Sequence, residues 1–134
     1  MFDKDKIALA KYRVEKAKET LMVSKLNFEN AFYLDSVNRS YYAIFHALRA
    51  ILALESVDFQ KHSAVIAHFQ QYYIKTNIFD KRFSKIIADA FKIRNDSDYE
   101  DFYVLSKESV EEQIKNAADF INEIEKYVLS QKIL

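Results

Sequence analysis

Arg94 occupies a position where helical spacing calls for an apolar side chain. Counting back from it in helical steps gives Ala90, Ile87 and Phe83, so the guanidinium is expected in line with the buried stripe of a helix. A buried charge without a partner is costly, and Asp98, one turn further on, can supply one. The polar run Asn95-Asp96-Ser97-Asp98-Tyr99 surrounds that pair. Two readings follow: a structural ion pair, or part of a functional site.

A second constellation lies upstream. Arg39, Tyr42, His46 and Arg49 recur at spacings of three, four and three, which puts them on one stripe beside the apolar face of Tyr41, Ile44, Phe45 and Leu48. Arginine forks match phosphate oxygens, tyrosine offers a stacking surface, and histidine exchanges a proton near neutral pH. The plainer reading is a solvated stripe or a helix contact tied by ion pairs. His62 follows Lys61 at a predicted helix start, where backbone amides and two basic side chains could hold an anion, or where His62 is simply a capping or exposed residue. His68 has no partner in its sequence neighbourhood and is expected at the surface.

Other chemistries are excluded by composition. The chain has no glycine, so neither a P-loop nor a dinucleotide fingerprint nor a serine nucleophile elbow can be built. Its three histidines lack the His-Glu-x-x-His spacing of a zinc site, there is no cysteine, and no metal or cofactor is expected. Acidic pairs such as Glu111-Glu112 sit among lysines and read as solvated.

The elements that must position these residues are helical. With no glycine and no proline in 134 residues, hairpins and bulges lose their usual residues. Half the residues are hydrophobic and 30% are charged, in keeping with amphipathic helices. The spacing predicts a first helix from about Asp5 to Asn27, with Ile7, Val14 and Leu21 a heptad apart and small residues Ala10, Ala17 and Ser24 between them. After a turn over Phe28 to Tyr33, a second helix begins near Asp35 or Ser36 and runs to about Glu55; a third and shorter one begins at His62-Ser63. A fourth runs from about Asp80 and ends between Arg94 and Asp98, because Ser97 and Asp98 favour helix termini. Tyr99 to Leu105 reads as a loop, and Ser106 caps a last helix reaching about Ser130 with a seam of Val110, Ile114, Ala117, Ile121, Ile124 and Val128. The fold class is therefore all-α: one domain over residues 1–134, an up-and-down antiparallel bundle of about five helices.

Twenty basic residues balance twenty acidic ones, so any affinity for nucleic acid must come from a local patch. There is no apolar run of membrane-spanning length and no signal-peptide pattern at the N-terminus, which predicts a cytoplasmic protein without a membrane partner.

The run Asn38-Arg39-Ser40-Tyr41-Tyr42-Ala43-Ile44-Phe45-His46-Ala47-Leu48-Arg49-Ala50-Ile51-Leu52, followed by Lys61-His62-Ser63 and by Arg94-x-x-x-Asp98-Tyr99, resembles the small bacterial and archaeal HEPN-domain proteins over most of the chain. The resemblance implies a helical bundle that forms homodimers, with a cleft lined by both subunits. Many relatives cut RNA without a metal, and several are toxins paired with a minimal nucleotidyltransferase antitoxin. Others only bind nucleotides or nucleic acid, so a ribonuclease and a non-catalytic partner of a nucleotidyltransferase both stay open.

Active members of that family place a histidine a few residues after their arginine. Arg94 and Asn95 match the arginine and the polar residue behind it, but Tyr99, Glu100 and Asp101 stand where the histidine is due. Metal-free RNA cleavage needs a base, a cation for the phosphorane-like charge and an acid, and arginine holds its proton too tightly for the first or last role. The resemblance thus assigns charge stabilisation to Arg94, its orientation to Asp98, and proton transfer to a borrowed histidine, His46 or His62. Arg39, Tyr42, Arg49, His62, Asn95 and Tyr99 are the expected binding residues, and Tyr99 is also a candidate acceptor of a nucleotide from the partner enzyme.

Overall fold

The computed structural model describes residues 2–133, which fold into five α-helices with no strand among the described residues. They are α1 (Lys4–Glu29), α2 (Tyr33–Glu55), α3 (His62–Phe69), α4 (Arg82–Tyr99) and α5 (Lys107–Leu129), with a π-helical turn at Gln70–Ile74 prolonging α3. None of these helices is long and apolar enough to cross a membrane.

Local chemistry accounts for the helix ends. The Asp3 carboxylate caps α1 by accepting from the Asp5 amide at 2.7 Å, and Ser106 Oγ caps α5 by accepting from the Ser109 amide at 3.1 Å. Without glycine, the chain uses other residues in left-handed conformations at its turns: Ala31, Ser56, Asn77 and Phe102 have φ between 55° and 62°. Asparagine tolerates that region through its short polar side chain, whereas each of the other three costs about 1 kcal/mol or more.

α4 extends one residue beyond the expected window. Ser97 does not end the helix; its hydroxyl donates back to the Arg94 carbonyl at 2.9 Å, while Lys92–Asp96 at 2.6 Å and Arg94–Asp98 at 3.0 Å tie the last turns together. α2 likewise begins at Tyr33, two residues before the acid expected near its start.

The small residues of α1 do what their spacing requires. Ala10, Ala17 and Ser24 are fully buried, as are Ala43, Ala47 and Ala50 of α2, so the two backbones approach closely. Reciprocal bonds lock the crossing: Ser24 Oγ donates to the Ser36 carbonyl at 2.7 Å and Ser36 Oγ to the Ser24 carbonyl at 2.9 Å. Further along, Arg13 Nη1 donates to the Arg49 carbonyl at 2.9 Å, and these pairings make α1 and α2 antiparallel. α5 closes over α2 with Val110, Ala117, Phe120 and Ile124 fully buried and with the Gln113 amide donating to the Val37 carbonyl at 3.1 Å. α4 covers the remaining side through Phe83, Ile87 and Ala90.

Candidate functional site

Arg94 continues the Phe83, Ile87 and Ala90 row of α4 to where that row leaves the core, and its side chain is 22% exposed. Asp98 Oδ2 lies 3.0 Å from Nε, yet Nε has no aligned hydrogen bond, so the contact is a charge pair and not a directed bond. Nη2 donates to the Tyr42 hydroxyl at 3.2 Å, and Nη1 reaches Asn95 Oδ1 at a long 3.4 Å. The guanidinium carbon sits 5.6 Å from the ring centres of both Tyr41 and Tyr42, within cation–π range. A half-buried cation is thereby held at the end of an apolar stripe by one carboxylate and two aromatic faces.

Tyr41 links this cation to a histidine. Its ring is buried on the apolar face of α2, and a buried phenol needs a hydrogen-bond partner; it finds one in Nδ1 of His62 at 2.7 Å. Burial pushes the Tyr41 hydroxyl well above the ordinary tyrosine range, so it stays protonated and can donate to or accept from Nδ1. The His62 ring packs on Phe45 with centroids 3.9 Å apart and meets Tyr42 edge-on at 5.8 Å. Burial, then Arg94, then Arg49 hold the His62 pKa below its usual value, leaving a neutral imidazole at pH 7. His62 also lines an open cavity of about 390 Å³ with Phe45, Arg49, Asp58, Phe59 and Gln60. Its second nitrogen, Nε2, is the atom left to act on a molecule placed there.

The remaining candidates divide. Arg39 lies over the Tyr42 ring at 5.2 Å while its Nε and Nη2 donate to Asn38 Oδ1, so the Tyr42 ring is in contact with both Arg39 and Arg94. Arg49 is paired with Asp58 at 3.0 Å on the rim of the cavity. His46 stands apart from Arg94. Its charged neighbours are Lys16, Arg49, Arg39 and Arg13, and burial followed by these four cations lowers its pKa to about 4. Tyr99 is 82% exposed at the end of α4 and is not joined to the cluster by a hydrogen bond or ring contact.

Two features escaped the spacing argument. Tyr41 reads as a core residue, and only the need of a buried hydroxyl for a partner hints at its contact with His62. His68 is not a surface residue: Nε2 lies 3.0 Å from Glu55 Oε2, which also accepts from the Tyr73 hydroxyl at 2.8 Å. Its partner comes from the end of α2, thirteen residues away.

A family model for the HEPN domain matches residues 10–127. The chain belongs to the HEPN domain family. Over 128 residues, 96% of each chain, this HEPN protein is 34% identical to a UPF0332 protein of Thermotoga maritima. It is also 32% identical over 121 residues to “Putative toxin MJ0142” of Methanocaldococcus jannaschii, covering 90% of this chain and 82% of that one. “Putative toxin MJ0605” of the same organism is 34% identical over 113 residues, 84% of each chain. In this HEPN chain α4 ends at Tyr99, and His62, the first residue of α3, meets the Tyr41 hydroxyl whose ring carries Arg94.

Proposed function

We propose that this HEPN protein is the toxin-type member of a pair with a nucleotidyltransferase antitoxin, and that it binds RNA or a nucleotide in a cleft completed by a second copy of the chain. The observation that carries this reading is the single aromatic residue, Tyr41, that holds a cation on its face and a neutral imidazole on its hydroxyl. The names of two relatives support the toxin assignment.

The chemistry such a pair performs on RNA is transesterification. His62 Nε2 accepts the proton of a ribose 2′-hydroxyl, and the 2′-oxygen attacks phosphorus. The bond from phosphorus to the 5′-oxygen breaks, leaving a 2′,3′-cyclic phosphate, and the departing oxygen takes its proton from water. Arg94 faces the charge that accumulates on the phosphoryl oxygens, where a fixed cation is most effective. Asp98 holds the guanidinium in place, and Tyr42 and Asn95, which touch it, contact the nucleotides beside the reacting phosphate. His46, kept uncharged by burial and by four neighbouring cations, is the weaker of the two proton carriers.

A second reading is favoured by the Arg94–Asp98 charge pair, which already neutralises the cation. In it the bundle is a non-catalytic partner of the nucleotidyltransferase, and Tyr99, exposed at the helix end, is the residue that receives a nucleotide. End-labelled RNA incubated with the purified protein separates the two. Fragments with cyclic phosphate ends support the ribonuclease; intact RNA together with a nucleotide adduct on Tyr99 in the presence of the partner supports the module.

A further inference from the structure

Charge is segregated in this neutral chain. Acids crowd the stretch from Asp96 to Glu112, whereas the α1 row of Lys6, Leu9, Arg13, Lys16, Thr20 and Val23 contains none. That row faces the Arg39, Tyr42, His46 and Arg49 stripe of α2, as the bond from Arg13 to the Arg49 carbonyl shows. Among the described residues, the one carboxylate paired with an arginine of these two rows is Asp58, on Arg49. His46 reports the resulting field, since Lys16, Arg49, Arg39 and Arg13 all disfavour its charged form.

We propose that this α1–α2 face is a second anion-binding surface, a track for the backbone of a single-stranded polynucleotide that leads past Tyr42 to Arg94. That the track ends at Arg94 rests on the function proposed above; the cationic face itself does not. From Arg39 to Arg49 the stripe runs about 15 Å along α2, longer than one phosphate and suited to several nucleotides. Arg39 and Arg49 each use part of their guanidinium on a neighbour and keep further N–H groups for phosphate oxygens. Aromatic rings accompany them: Tyr42 is in contact with both Arg39 and Arg94, exposed Tyr12 flanks the α1 row, and Phe59 borders the cavity beside Arg49. Stacking surfaces between cations fit nucleobases between phosphates, and an acidic protein segment has no use for them.

Fluorescence anisotropy with labelled oligouridylate of about twelve nucleotides, the matching oligothymidylate and free UMP tests the track across a salt series. The side chain of Lys16 is exposed, and a Lys16→Gln/Arg39→Gln protein checked for parental helicity by circular dichroism is the main comparison. The oligomers should bind at least about tenfold tighter than UMP. The double variant should lose about tenfold in affinity, with a salt slope lower by about 1.4, two single-strand phosphate contacts at about 0.7 each. RNA and DNA arms that respond alike mean that the phosphate backbone is read; an RNA arm alone that responds means that the 2′-hydroxyl is read too, and both support the track. Affinity within about twofold of the parent and an unchanged slope overturn it, as does polyglutamate displacing the oligomer at equal charge, which marks a protein-docking face. Arg94→Ala separates the two proposals. Binding lost there but kept in the double variant leaves the Arg94 reading and removes the track, and the reverse pattern keeps the track and removes the Arg94 reading.

Discussion

The Tyr41 hydroxyl and His62 Nδ1 are 2.7 Å apart, and this bond ties the first residue of α3 to the buried face of α2. It engages Nδ1 of a histidine that also lines the open cavity. Because the phenol can donate or accept, the imidazole can change protonation at Nε2 without losing its support.

Tyr41→Phe keeps the ring and removes that support. The variant should fold with a loss of about 1 kcal/mol in a urea titration, the usual value of one net hydrogen bond. Imidazole nitrogen NMR should show a changed His62 tautomer balance, and an unchanged His62 spectrum would mean that the bond does not orient the ring.

The two histidines should separate by activity. Any RNA cleavage should fall at least about a hundredfold in His62→Gln, within the usual range for a general acid–base group, and change little in His46→Gln. Since burial and Arg94 lower the His62 pKa, its basic form predominates at neutral pH. The rate should rise with pH, reach half its plateau below 6.5 and level off at higher pH. Loss in His46→Gln alone would reassign the proton carrier.

His46 should also appear in the pH dependence of stability. Its folded pKa of about 4 lies below the unfolded value of 6.5, so the unfolded chain binds the proton more readily. The stability it contributes is complete above pH 6.5 and is lost as pH falls toward 4. Thermal melts at pH 7 and 4.5 should therefore differ less for His46→Gln than for the parent, and an equal difference would place His46 in open solvent.

Helical spacing made much of this legible. The Ala10, Ala17 and Ser24 row, the α5 seam and the Ser106 cap all follow from repeating local rules, and each is found in the bundle. Arg94 was visible for the same reason, as a charge out of place on a periodic row. What spacing could not give were contacts between helices. The partners of His62 and His68 are Tyr41 and Glu55, and both pairs form only when α3 folds back against α2. The same limit applies to His46 and Tyr42: one α2 stripe holds them, but the charges that act on His46 are Lys16, Arg49, Arg39 and Arg13, while Tyr42 meets Arg94.

The Glu55 carboxylate gives a test away from the proposed site. It accepts from the Tyr73 hydroxyl at 2.8 Å and lies 3.0 Å from His68 Nε2. Replacing it with glutamine weakens both contacts and should cost about 2 kcal/mol in a denaturant titration, with RNA affinity unchanged. No loss of stability would mean that the cluster contributes nothing to holding α3 on α2.

The most direct measurement is the affinity of Arg94→Ala for a short single-stranded RNA, made on protein whose circular dichroism matches the parent. Removing the guanidinium should weaken binding at least about tenfold, in keeping with the loss of one charge-assisted phosphate contact. A folded Arg94→Ala protein that binds RNA as tightly as the parent would make Arg94–Asp98 a structural ion pair and contradict the account.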